Sequence, residues 1–183
     1  MTNKIYILLS DTGTLFTKSI KKYTKAPYNH ASLAFDKKLN DMYSFGRKNP
    51  RNPFNGGFVK EDVLTGTYRK YPKTTCVIYE LSVTDRDVHK MKRLLEIFIK
   101  NKQRMMYNLL GVLGVSMNEP IEFSISYFCS QFVAEVLHRS GIDLWDKLPA
   151  LVTPEDFRKS DRLTLIYEGK LFDYEPIKHR LSQ

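Results

Sequence analysis

Residues Ile5 to Leu9 read Ile-Tyr-Ile-Leu-Leu, an unbroken apolar run inside the segment Lys4 to Ser10. In an extended chain successive side chains point to opposite faces, so Tyr6 and Leu8 fall on one side and Ile5, Ile7 and Leu9 on the other. A strand that is apolar on both faces reads as a buried strand, and Asp11-Thr12-Gly13 behind it marks a turn. The run is too short for the core of a signal peptide, and no small-residue cleavage pattern follows it. The longest nearly apolar stretch, Leu109 to Met117, falls far below the ~20 residues of a membrane helix. No membrane span and a cytoplasmic location are therefore expected.

The rest of the pattern alternates between the two periodicities. A short helix is expected over Leu15 to Tyr23, broken by Pro27. His30 to Phe35 reads as a strand, Lys37 to Asp41 as a turn and Met42 to Gly46 as the returning strand of a hairpin. Arg47 to Gly57 carries Pro50, Pro53, Gly56 and Gly57 and reads as a loop. Thr74 to Val83 is rich in β-branched and aromatic residues, a strand composition. Asp85 offers a helix N-cap, and Val88, Met91, Leu95 and Phe98 line one face of a helix running to Lys100, whose other face is basic. Tyr107 to Val115 is apolar and punctuated by glycine. Tyr127 to Arg139 reads as a second helix with Ser140-Gly141 as its stop. Pro149 and Pro154 mark an irregular approach to two short strands, Leu163 to Tyr167 and Leu171 to Tyr174. The sum is an α+β chain, and 183 residues suit one domain over positions 1–183.

Charge narrows the choice of partner. Lysine and arginine number 29 against 20 aspartates and glutamates, a net charge of +9. The excess sits in residues 1–118, with 21 basic and 9 acidic side chains, while residues 119–183 hold 8 and 11. Such an imbalance favours an anionic partner. The cations are scattered, as in Lys18, Lys21, Lys22 and Lys25 and again in Lys90, Lys92 and Arg93. No nucleic-acid motif accompanies them, so no specific nucleic-acid binding is expected. The two cysteines, Cys76 and Cys129, form neither a disulfide framework nor a zinc ligand set, and no metal or cofactor is expected.

The cysteines differ in setting. Cys76 lies in mid-strand, where burial leaves a thiol inert. Cys129 falls in the first turn of a helix, where unpaired N–H groups and the helix dipole favour a thiolate. It also shares a face with Phe132, Val133 and Val136, so it reads either as a small core residue or as a nucleophile. Of the four histidines, His138 lies on the opposite face of the same helix, His89 on the basic side of the other helix and His179 in a polar tail. His30 opens a strand directly after Pro27-Tyr28-Asn29, and reads as a hydrogen-bonded sheet histidine or as a base. A thiol at a helix N-terminus facing an imidazole on an adjacent strand is the papain-type arrangement.

The segment Tyr127-Phe128-Cys129-Ser130-Gln131-Phe132-Val133 resembles the aromatic-aromatic-Cys-Ser-Glu-Leu-Val signature of the circularly permuted branch of the NlpC-type papain-like superfamily. Asn29-His30-Ala31-Ser32-Leu33 is similar to that branch's histidine strand, and Tyr107-Asn108-Leu109-Leu110-Gly111 to the segment that precedes its cysteine. The order, histidine before cysteine, is that of permuted members. The likeness covers residues 4–140. It implies a papain-like fold with an antiparallel sheet against a few helices. It also implies a nucleophile at Cys129, a base at His30 and a polar residue on the next strand that orients the imidazole. That last position is often glutamate in the family, and here the best match is Ser44, with Asp41 and Asp36 as fallback carboxylates. Gln131 stands where the family usually has glutamate. The activity implied is that of a cysteine hydrolase, an amidase or peptidase, on a small-molecule, peptide or lipid substrate, with an acidic one favoured by the charge. A lipid-directed acyltransferase or hydrolase on the same fold and a catalytically silent binding module are the alternatives.

Overall fold

A computed structural model describes residues 2–14, 26–49, 52–102, 106–107 and 126–182. Its centre is a six-stranded antiparallel sheet of β1 (Thr2–Asp11), β2 (His30–Ala34), β3 (Met42–Asn49), β4 (Asn52–Glu61), β5 (Thr75–Thr84) and β8 (Thr164–Lys170). The order across the sheet is β4-β3-β2-β1-β5-β8. Two short strands, β6 (Met106–Tyr107) and β7 (Ser126–Tyr127), pair in parallel apart from it. Five α-helices are described: α1 (Gly66–Lys70), α2 (Asp85–Asn101), α3 (Cys129–Arg139), α4 (Pro154–Lys159) and α5 (Glu175–Leu181). The fold is thus α+β.

The apolar run of β1 is buried on both faces, between β2 and β5, and divides the core in two. Ile5, Ile7, Leu9, Leu33 and Phe45 join Phe98 of α2 and Phe132 of α3 on one face. Tyr6, Leu8, Ala34, Met42 and Ile78 join Tyr68 of α1 and Ile177 of α5 on the other. The first layer is knotted by aromatic rings: Phe132 meets Phe98 edge-on at 5.2 Å and Phe45 at 5.5 Å, distances at which ring pairs add to simple burial. This is what presses α3 onto β2 and β3.

Local chemistry sets the helix ends. Thr84 caps α2 by accepting from the Asp87 N–H while the Asp87 carboxylate accepts from the Thr84 N–H, a reciprocal capping box. The α3 helix ends where Gly141 takes a φ of +90°, with Gly141 N–H bonded to His138 O and Ile142 N–H to Leu137 O. Glycine carries that left-handed turn without a Cβ penalty.

Two stretches differ from the sequence expectation. The described residues of 47–57 are strand and not loop: β3 extends to Asn49 and β4 begins at Asn52, pairing Arg47 with Gly56 and Gly46 with Gly57. The glycines and Pro53 that look like breakers sit on the terminal strand of the sheet order, where a missing donor is tolerated. Downstream, one strand runs from Thr164 to Lys170, followed by a 3-10 turn at Leu171–Asp173 and α5, in place of a strand pair. The Leu171 N–H bonds Thr74 O, which turns the chain off the sheet, and Pro176 at the helix start lacks only an N–H that would be unpaired anyway. The expected helix at 15–23 and the apolar segment at 108–115 lie outside the described residues.

Candidate active site

His30 is the first residue of β2 and pairs in register with Ser10 of β1. Its Nε2 lies 2.9 Å from Oε1 of Glu61, the last residue of β4, and the two side chains are only 21% and 14% exposed. The strands that carry them are not neighbours, since β3 lies between. The side chains meet because β3 offers small residues beneath them. A Cβ on Gly46 would stand 3.2 Å from His30 Cε1 and 3.4 Å from Ser44 Oγ. The second Glu61 oxygen, Oε2, accepts a 2.5 Å hydrogen bond from Ser32.

Cys129 is the first residue of α3 and is 5% exposed. Its thiol borders the His30 imidazole, and Sγ also lies 3.8 Å from Asn29 O. With Nε2 held by Glu61, Nδ1 is the ring nitrogen left for the sulfur. The helix start is anchored on both sides: Ser130 donates to Val152 O at 2.6 Å, and Gln131 Oε1 accepts from the Phe128 N–H at 3.4 Å. The Phe132 N–H makes the first intrahelical bond, to Phe128 O. The N–H groups ahead of it, that of Cys129 included, therefore have no acceptor within the helix.

The electrostatics follow from this packing. Burial by itself would lower the His30 pKa. The adjacent Glu61 charge and the contacts with Cys129 and Glu61 reverse that and raise it to about 10. Burial would likewise raise Glu61, but the His30 charge and hydrogen bond, with further help from Ser32 and Ser44, hold its carboxyl below the usual range. The pair thus stores its proton on the imidazole at neutral pH. Cys76, by contrast, is fully buried in β5, and burial followed by the nearby Glu168 charge pushes its thiol up to about 12.

The structure therefore brings Cys129 and His30 together and adds Glu61. Ser44 lies against the pair, fully buried; its hydroxyl faces the Glu61 carboxylate and completes no hydrogen bond of regular geometry. The group on His30 Nε2 is Glu61, not Ser44. Asp36 and Asp41 serve the β2–β3 turn instead. Asp36 accepts from the N–H groups of Lys38, Asn40 and Asp41, and Asp41 accepts from the Tyr43 hydroxyl and pairs with Lys60. His138, near the C-terminal end of α3, pairs with Asp143 at 2.5 Å, and His179 pairs with Glu175 on α5. Within the tyrosine motif, Tyr107 is the end of β6 and residues 108–111 lie outside the described residues.

Glu61 escapes the sequence reading because β4 is disguised by its glycines and Pro53. The available signal was the end of that segment, Phe58-Val59-Lys60-Glu61, in which Phe58 points into the core and Glu61 stands one strand beyond Met42. Among the described residues no cluster of three or more His, Cys, Asp or Glu side chains is arranged to hold a metal ion, and no helix is long and apolar enough to cross a membrane. Neither a known protein family nor a curated protein matches the chain.

Proposed function

We propose that the protein is a papain-like thiol hydrolase of the permuted NlpC type, cleaving an amide or ester bond with Cys129 as nucleophile, His30 as acid–base and Glu61 as the carboxylate that orients and charges the imidazole. The observation that carries this reading is the sequence of contacts from thiol to imidazole to buried carboxylate, with the thiol at a helix N-terminus. Three side chains from α3, β2 and β4 converge in the order that nucleophilic catalysis requires.

The steps follow from the geometry. The thiolate is the attacking species, its proton held by the imidazole. Sulfur bonds to the acyl carbon, and the carbonyl electrons move to oxygen. The Cys129 N–H, which has no acceptor within the helix, is the donor to that oxyanion in this reading. His30 then gives its proton to the departing amine or alcohol, leaving a thioester. Water attacks the thioester, losing a proton to His30, and the acid departs as the thiol is restored. The buried Glu61 charge stabilises the imidazolium in each half-reaction, a role that a serine hydroxyl does not fill. The net charge of +9 favours an anionic acyl donor.

The test uses iodoacetamide and a panel of peptide amides and short-chain esters. Carboxymethylation at neutral pH is expected at Cys129 at least about tenfold faster than at Cys76. Any turnover is expected to vanish in Cys129→Ala while the unfolding midpoint changes little. Equal labelling of both cysteines, or turnover that survives Cys129→Ala, overturns the proposal.

A further inference from the structure

We propose that Ser32 is a positioning residue for the imidazole–carboxylate pair, clamping the Glu61 carboxylate in the rotation that aims Oε1 at His30, with Tyr68 and Ser10 bracing Ser32 from behind. Its catalytic consequence rests on the thiol-hydrolase reading above; the positioning itself rests on geometry alone. The two Glu61 oxygens are separately assigned: Oε1 meets His30 Nε2 at 2.9 Å, and Oε2 receives the Ser32 hydroxyl at 2.5 Å. The terminal torsion of a glutamate is broad and roughly two-fold, so a single contact to His30 would leave the carboxylate free to swing. A second donor on the other oxygen removes that freedom.

Ser32 is suited to the task by its place in the sheet. It lies two residues beyond His30 on β2, so both side chains leave the same face, and it is fully buried. Behind it the Tyr68 hydroxyl of α1 sits beside Ser32 and 3.2 Å from the Ser10 hydroxyl of β1. Ser10 is itself the register partner of His30. The groups that face Glu61 are therefore His30 and Ser32 from β2, Ser44 from β3 and Tyr68 from α1. Among them, Ser32 makes a short hydrogen bond, 2.5 Å, to the oxygen that His30 does not use, whereas the Ser44 hydroxyl completes none.

The readout is the His30 Nε2–H proton in the NMR spectrum of the intact protein, which reports the hydrogen bond to Glu61 without reference to turnover. In the native protein it is expected at low field and protected from water. In Ser32→Ala it is expected to move upfield and to exchange about tenfold faster or more, and carboxymethylation of Cys129 is expected to slow by a similar factor. Tyr68→Phe, which keeps the ring and deletes the brace, is expected to move the same resonance in the same direction by less. A Ser32→Ala protein with unchanged resonance and exchange overturns the proposal. If Ser32→Ala does not fold, an unchanged resonance in Tyr68→Phe overturns it instead. Native protein whose Cys129 resists carboxymethylation, with the resonance still responding to Ser32→Ala, sinks the hydrolase reading and leaves the positioning role standing.

Discussion

Glu61 and His30 belong to strands separated by a third, yet their side chains come within 2.9 Å of each other across the small residues Ser44 and Gly46 of β3. The contact joins the end of one strand to the start of another. It places a negative charge at Nε2 of the imidazole that borders Cys129.

Glu61→Gln keeps the shape of the side chain and removes its charge. The charge is the principal influence that raises His30 against the opposing effect of burial. The imidazole is therefore expected to titrate near or below its ordinary value of ~6.5 in the variant, compared with about 10 in the native protein. An NMR titration of the His30 ring protons between pH 5 and pH 11 checks this. An unchanged midpoint would show that the carboxylate does not set the imidazole's charge.

The same pair makes stability depend on pH. His30 has a raised pKa in the folded state, so its contribution is complete below ~6.5 and fades as pH rises toward about 10. Glu61 has a lowered one, so its contribution is present above ~4.3 and is lost as pH falls through the folded value. The stability difference between native protein and Glu61→Gln is thus expected to be largest between these limits, near pH 5 to 6. Its size there is expected to be about 3 kcal/mol, the scale for removing one partner of a buried ion pair. Urea unfolding across the pH range measures it, and a difference that grows above pH 8 would contradict the assignment.

Gly46→Ala tests the gap over which the pair meets. The backbone there is not in the left-handed region, so the effect is one of contact alone. The added methyl stands 3.2 Å from His30 Cε1, and the imidazole must shift to admit it. Iodoacetamide is expected to react with Cys129 about tenfold more slowly, with a stability loss below ~1.5 kcal/mol. A variant with full reactivity would mean that the ring has room to spare.

Phe132→Ala probes what holds α3 against the sheet. The ring is fully buried and touches Phe45, Phe58 and Phe98 at centroid distances of 5.2 to 5.6 Å. Its removal is expected to cost about 3 to 5 kcal/mol in thermal or urea unfolding. A loss below 1 kcal/mol would mean that the surrounding rings collapse into the space.

How much of this was legible in the sequence depends on the range over which each feature is encoded. The buried strand β1, the capped helix α2 and the glycine stop of α3 are written in a few adjacent residues, because periodicity, capping and left-handed turns are local matters. The thiol at a helix start and a histidine at a strand start were visible for the same reason. Strand β4 was not, since its glycines and Pro53 carry the local signal of a loop and only pairing with β3 makes them a strand.

The residue types, their order along the chain and the elements that carry Cys129 and His30 are therefore properties of the sequence by itself. Which carboxylate joins them was decided by the tertiary structure. Asp36 and Asp41 lie nearer to His30 along the chain, but the turn they close consumes them. Glu61, 31 residues away, reaches the imidazole because antiparallel pairing lays β4 beside β3 and β3 beside β2, and because glycine and serine at 46 and 44 leave the space between open. That proximity depends on strand register, and register is set by long-range pairing that no short stretch of sequence contains.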